Sequence, residues 1–173
     1  MLTIYTIGHS TRSIDEFVEL LKTYSVTQLV DIRSVPGSRH NPQYSQKAFK
    51  ESLESRDISY TYMKRLGGWR RGPSDDKNAA WRNKSFRSYA DYMQTDDFAE
   101  GINALIDSSK NASTAIMCAE AVPWRCHRSL VGDALVVRGI EVRDIMSEKN
   151  SPEHTLTSFA KVNGTNITYP AEN

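Results

Sequence analysis

At 173 residues, with 39% hydrophobic and 25% charged side chains, the chain has the length of one domain and the composition of a folded one. Its formal net charge of +1 excludes a whole-molecule demand for a polyanionic partner, and no apolar run reaches the ~20 residues of a membrane span. Two cysteines make no disulfide framework and no basic segment precedes the first apolar stretch, so the reading is a cytoplasmic protein without signal peptide or membrane partner.

Leu2 to Ile7 is short, β-branched and aromatic, and stops at Gly8, the pattern of a first strand. Ser13-Ile-Asp-Glu16 follows as a capping box, and Phe17, Leu20, Leu21 and Tyr24 recur at the spacing of one helix face. Val26 to Ile32 reads as the second strand, leading into Arg33. A polar stretch with Pro36, Gly37 and Pro42 leads to a helix from about Ser45 that points Phe49 and Leu53 inward. Ile58 to Met63 is the third strand.

The segment 64–84 holds Gly67, Gly68, Gly72 and Pro73, and its length marks a functional or disordered loop. Between Lys64 and Arg87 only Asp75 and Asp76 oppose Lys64, Arg65, Arg70, Arg71, Lys77, Arg82, Lys84 and Arg87, so the positive charge is local, not global. Two helices follow, one carrying Phe86, Tyr89, Ala90 and Met93, the next Phe98, Ile102, Leu105 and Ile106. Ser113 to Cys118 has the apolar run of a buried parallel strand. A helix from about Cys126 buries Leu130, Val131, Ala134 and Leu135 and stops at Gly139; Ile140 to Met146 is the last strand. Residues 1–149 are read as one domain and 150–173 as a weakly structured tail. Alternating strands and helices predict a three-layer α/β fold: a mostly parallel, Rossmann-like sheet of about five strands with helices on both faces.

Such sheets bind ligands beyond the carboxyl ends of their strands, so the residues just after strands are the candidates. These are His9 and Ser10; Asp31, Arg33, Ser34, Ser38 and Arg39; Lys64 and Arg65; and Cys118, Glu120, Arg125, Cys126, His127 and Arg128. In a parallel sheet all four groups share one rim. Ser10, Ser38 and the arginines 33, 39, 125 and 128 suit an oxyanion, because guanidinium groups grip phosphate with two parallel hydrogen bonds. His9 and His127 suit proton transfer near neutral pH. Asp31 and Glu120 can orient or activate a nucleophile, and Cys118 or Cys126 can be one, since a helix N-terminus favours a thiolate.

At these residues the chain resembles the family known as domain of unknown function 488. The resemblance runs through Thr6-Ile-Gly-His-Ser10, Asp31-Ile-Arg-Ser-Val-Pro36 with Ser38 and Arg39, Leu66-Gly-Gly68, Cys118-Ala-Glu120 and Cys126-His-Arg128. It covers about Leu2 to Ile145 and implies an α/β domain with no established activity. A looser similarity links Asp31-Ile-Arg33 and the Cys118-to-Arg125 loop to rhodaneses and cysteine phosphatases. That loop departs from a phosphate cradle: six residues separate Cys118 from Arg125, none is glycine, and Pro123 removes an amide.

Three function classes follow. The first is a hydrolase or transferase working on a phosphate-bearing small molecule or nucleic acid, with histidine acid–base groups. The second is a thiol enzyme using Cys118 or Cys126. The third is a non-catalytic nucleic-acid module gripping its partner through Lys64, Arg65, Trp69, Arg70, Arg71 and Trp81, because cations beside aromatic rings track a strand and stack its bases. The spacing of Cys118, Cys126, His127 and His9 lacks the paired pattern of structural zinc, so no metal and no cofactor are assigned.

Overall fold

The structure is a computed structural model that describes residues 1–70 and 76–171. In chain order its elements are β1 (Thr3–Gly8), α1 (Ile14–Thr23), β2 (Gln28–Asp31), α2 (Gln46–Glu54), β3 (Ser59–Tyr62), α3 (Lys84–Tyr92), α4 (Asp96–Ser109), β4 (Thr114–Cys118), α5 (Arg128–Val136), β5 (Glu141–Asp144), β6 (Lys161–Asn163) and β7 (Asn166–Thr168). β1 to β5 form a sheet in the order β3-β2-β4-β1-β5, and every neighbouring pair in it is parallel. This is the expected three-layer α/β architecture.

The layers follow from strand alternation, which sends successive side chains to opposite faces. Ile4, Val30, Ile116 and Val142 meet α3, α4 and α5 on one face. Ile7, Leu29, Ala115 and Met117 meet α1 and α2 on the other. The Ser13 hydroxyl accepts the Glu16 amide at 3.1 Å, which starts α1 where the capping box places it. Helix α5 is buried from Arg128 to Leu135, because the sheet, α3, α4 and the chain end enclose it.

The strand order creates the site. The chain leaves β1 and β2 toward α1 and α2, whereas it leaves β4 toward α5 on the opposite face. A crevice therefore opens at the carboxyl end of β4, between β1 and β2, where ligands of open α/β sheets bind.

Two expectations are corrected. The segment after residue 150 is ordered against the domain: β6 and β7 pair as an antiparallel hairpin, and Ile167 and Tyr169 are buried in the core. Its anchor points are isolated side chains, so no periodic pattern announces them. Within segment 64–84, Trp81 packs on Phe86, Phe159 and Tyr169 with ring centroids 5.1, 4.9 and 5.4 Å away. Those contacts give it a packing role within the domain. Among the described residues no helix is long and apolar enough to cross a membrane.

Candidate active site

The crevice is a cavity of about 500 Å³ whose wall includes Arg33, Trp69, Cys118, Glu120, Cys126 and His127. Register brings its halves together: Gly8 stands opposite Cys118 and Asp31 opposite Met117. Beyond the strands the His9 amide donates to the Cys118 carbonyl at 3.0 Å and the Ser10 amide to the Ala119 carbonyl at 2.9 Å. This close crossing requires glycine at position 8, because a Cβ there would lie 1.7 Å from the Glu120 carbonyl oxygen.

Three buried cationic or imidazole side chains at this rim keep polar atoms without partners. Arg33 is 5% exposed; its Nε and Nη2 bind both oxygens of the buried Asp31 at 2.8 to 3.2 Å, yet Nη1 has no partner. Tyr60 donates its hydroxyl to the same carboxylate at 2.6 Å, so Asp31 holds Arg33 and is itself held. Arg128 is 1% exposed. Its Nη2 gives one hydrogen bond to the Ala121 carbonyl at 3.3 Å, while Nε and Nη1 are unpaired. His9 stacks on Tyr44 at 4.2 Å and turns Nδ1 to the Ser10 carbonyl at 2.7 Å, leaving Nε2 unpartnered. Buried polar groups are normally satisfied, so the unpartnered nitrogens of Arg33 and Arg128, and the His9 Nε2 (an acceptor in the neutral ring), stand out at this rim.

The thiols lie between these donors. Both are free and buried, they line the same cavity, and each acts on the titration of the other. Cys118 also donates to the Glu120 carbonyl at 3.6 Å, and the Cys126 sulfur accepts the Arg128 amide at 3.4 Å, at the first residue of α5. Burial raises the Cys118 thiol, but the Cys126 hydrogen bond and the Arg128 charge outweigh it and bring it below its ordinary value. Burial pushes Cys126 well up, and the neighbouring Cys118 adds to that. The pair thus titrates as one unit.

His127 is less free than its place in the sequence suggests. Its Nε2 meets the Ile32 carbonyl at 2.9 Å, which puts the hydrogen of the neutral ring there, and Nδ1 faces the Cys126 sulfur at 3.4 Å. The ring packs against Gly68, where a Cβ would sit 2.6 Å from Nδ1. Burial depresses its pKa to about 4, against the raising effect of the Ile32 and Leu66 carbonyls. A proton titration of the imidazole by NMR is therefore expected to show a midpoint near 4. The unfolded chain takes this proton near 6.5 and the folded one does not, so stability falls as pH drops from there toward 4. A midpoint at the ordinary histidine value contradicts the buried neutral ring. Burial lowers His9 as well, opposed by the Ser10 carbonyl and helped by Arg33.

Several expected site residues lie elsewhere. Arg39 is exposed and outside the cavity wall, and the Ser38 hydroxyl accepts the Asn41 amide at 2.9 Å to close a turn. Arg125 is exposed on the wall, and the buried arginine is Arg128. Arg65 pairs with Glu100 at 3.3 Å. Arg70 binds the carbonyls of Lys64 and Gly67 and lies 3.9 Å over the Tyr92 ring. Trp69 is 79% exposed, Lys64 is exposed, and Arg71 lies outside the described residues. Tyr44 and Tyr60, which brace His9 and Asp31, were not foreseen: neither follows a strand end, the one signal the sequence offers. Among the described residues no group of three or more His, Cys, Asp or Glu side chains is arranged to hold a metal ion.

A parallel sheet covered on both faces, with two thiols and partly unsatisfied guanidinium groups at its carboxyl rim, defines an α/β protein with a candidate site there. Residues 13–135 match the domain of unknown function DUF488, and the chain belongs to that family. No curated protein and no solved structure matches it.

Proposed function

We propose that the protein is a cytoplasmic enzyme that acts on a phosphate-bearing substrate, with Cys118 as nucleophile and Arg33 and Arg128 as the anion-binding groups. The observation that carries this reading is the buried guanidinium of Arg128, with two unpaired nitrogens, acting on the thiolate of Cys118. Arg128 makes no ion pair among the described residues, although its charge reaches Asp144, and an oxyanion would engage its free nitrogens with charge-assisted hydrogen bonds. The thiol is preferred to His127 because that ring has both nitrogens engaged. Trp69, exposed on the cavity wall, favours a phosphate that carries a base, as a nucleotide or nucleic-acid end does.

In the proposed step the Cys118 sulfur forms a bond to phosphorus as the ester P–O bond breaks. The departing oxygen takes a proton from water, and water then releases phosphate from the sulfur. Arg33 Nη1 and Arg128 bind the phosphoryl oxygens, where fixed donors stabilise the charge of the transition state.

Inorganic phosphate is expected to slow alkylation of Cys118 by iodoacetamide, read by peptide mass, and Arg33→Ala is expected to remove that protection. Cys118→Ser should lose hydrolysis of an aryl phosphate. Alkylation indifferent to saturating phosphate sinks the anion site, and hydrolysis undiminished in Cys118→Ser sinks the nucleophile.

A further inference from the structure

Cys126 has no role in the phosphate chemistry, yet it occupies the most constrained position in the cavity. Its sulfur accepts the first amide of α5 at 3.4 Å and faces His127 Nδ1 at 3.4 Å. Both thiols line the same cavity, so a small reagent that reaches one is beside the other. Cys118 ends β4 and Cys126 lies two residues before α5. Between them the Ser10 amide pins the Ala119 carbonyl, whereas Trp124 and Arg125 are exposed, so movement falls at the Cys126 end of the loop. Forming an S–S bond of about 2 Å calls for side-chain rotation and a shift of that end.

From this arrangement we infer that Cys118 and Cys126 form a reversible intramolecular disulfide when the site meets a hydroperoxide. The inference rests on the reading of Cys118 as the reactive thiol. In the first step the Cys118 thiolate attacks the peroxide. An S–O bond forms, the O–O bond breaks, and the alkoxide or hydroxide leaves with a proton from water. Cys118 is now a sulfenic acid, oxidised by two electrons. In the second step Cys126 attacks that sulfur, giving up its thiol proton to the neutral His127 Nδ1. The S–S bond forms as the S–O bond breaks, and the departing hydroxide takes the proton to leave as water. A dithiol reductant returns both thiols. The Cys126 sulfur is held against a proton acceptor, His127 Nδ1, which suits it to resolve a sulfenic acid on Cys118 before further oxidation. In the disulfide Cys118 has no thiolate, so the nucleophile is protected and silenced together.

The test treats the full chain with one equivalent of hydrogen peroxide near neutral pH, alkylates with iodoacetamide, and reads thiol count and peptide linkage by mass. Expected is loss of both alkylatable thiols in a monomer, a peptide pair joining Cys118 to Cys126, and full recovery with dithiothreitol. In Cys126→Ser, Cys118 is expected to stop at a dimedone-reactive sulfenic acid and then pass to sulfinic acid, which dithiothreitol does not reverse. Cys118 reaching sulfinic acid in the wild type while Cys126 stays alkylatable overturns the inference. So does a disulfide found only between two chains. Repeating the oxidation with inorganic phosphate separates the two readings. Slower disulfide formation supports both, whereas an unchanged rate leaves the disulfide standing and counts against the phosphate site.

Discussion

Gly8→Ala is expected to destabilise the fold by about 3 kcal/mol or more, the upper end of what overpacking a closed site costs. The added Cβ would lie 1.7 Å from the Glu120 carbonyl oxygen, 2.5 Å from its carbonyl carbon and 3.0 Å from the Ala121 Cα. All three are main-chain atoms, so no rotamer change relieves the clash. The loop cannot simply lift, because the His9 and Ser10 amides bind the Cys118 and Ala119 carbonyls and the Arg12 guanidinium donates to the Gly8 carbonyl. Either these bonds break or β1 shifts against β4. A urea-unfolding midpoint measures the cost. Where the variant still folds, faster alkylation of Cys118 should accompany it, since the loop that covers the sulfur has moved. A midpoint equal to wild type would mean that residue 8 and the loop are not in contact.

Much of this site was legible because of one rule, that side chains just after parallel strands share a rim. His9, Arg33, Cys118, Glu120 and His127 were found that way. The rule says nothing about neighbours, so the insertion of β4 between β1 and β2 was invisible: the apolar runs of β1, β2 and β4 would serve any central strand. It also gave Arg125 and Arg128 equal standing. What separates them is a single turn of 3-10 helix at Pro123–Arg125, which uses up chain before α5 begins at Arg128. Arg125 is thereby left outside and Arg128 placed under the loop. Starting the helix at Cys126 had put the wrong residues in its first turn.

The basic segment shows the opposite failure. Its charge count was right but its physical meaning depended on partners far along the chain. Glu100 takes Arg65, Tyr92 takes Arg70, and Phe159 and Tyr169 take Trp81. Side-chain pairing across so many residues leaves no local trace. The tail was misjudged for the same reason, since a strand or helix reports itself by periodicity whereas a polar anchor reports itself only through its partner.

That anchor supplies the second large effect. Asp133→Ala is expected to cost about 3–5 kcal/mol, the range for removing one partner of a buried pair. Asp133 is fully buried on α5. Its carboxylate holds His154 at 2.9 Å, the Thr157 amide at 3.1 Å and the Tyr169 hydroxyl at 2.8 Å, so one truncation strands three donors and frees the chain end. The pair also carries a pH signature. Burial lowers the His154 pKa, but hydrogen bonds to Asp133 and Asp144 and their charges outweigh it and raise it to about 9 from 6.5. Because the folded value lies above the unfolded one, the stabilisation is complete below about 6.5 and is lost as pH rises through about 9. The shift corresponds to roughly 3 kcal/mol. Asp144 moves the other way: burial raises it, but His154 and Thr6 outweigh that and hold it below its ordinary value, so its contribution is lost only at strongly acid pH. Urea midpoints at about pH 6 and about pH 9.5, compared between wild type and His154→Gln, isolate the histidine. Wild type should lose stability across that interval and the variant should lose much less. Equal slopes would mean that His154 is not held as a cation by Asp133, and that the chain end is fixed by its aromatic contacts alone.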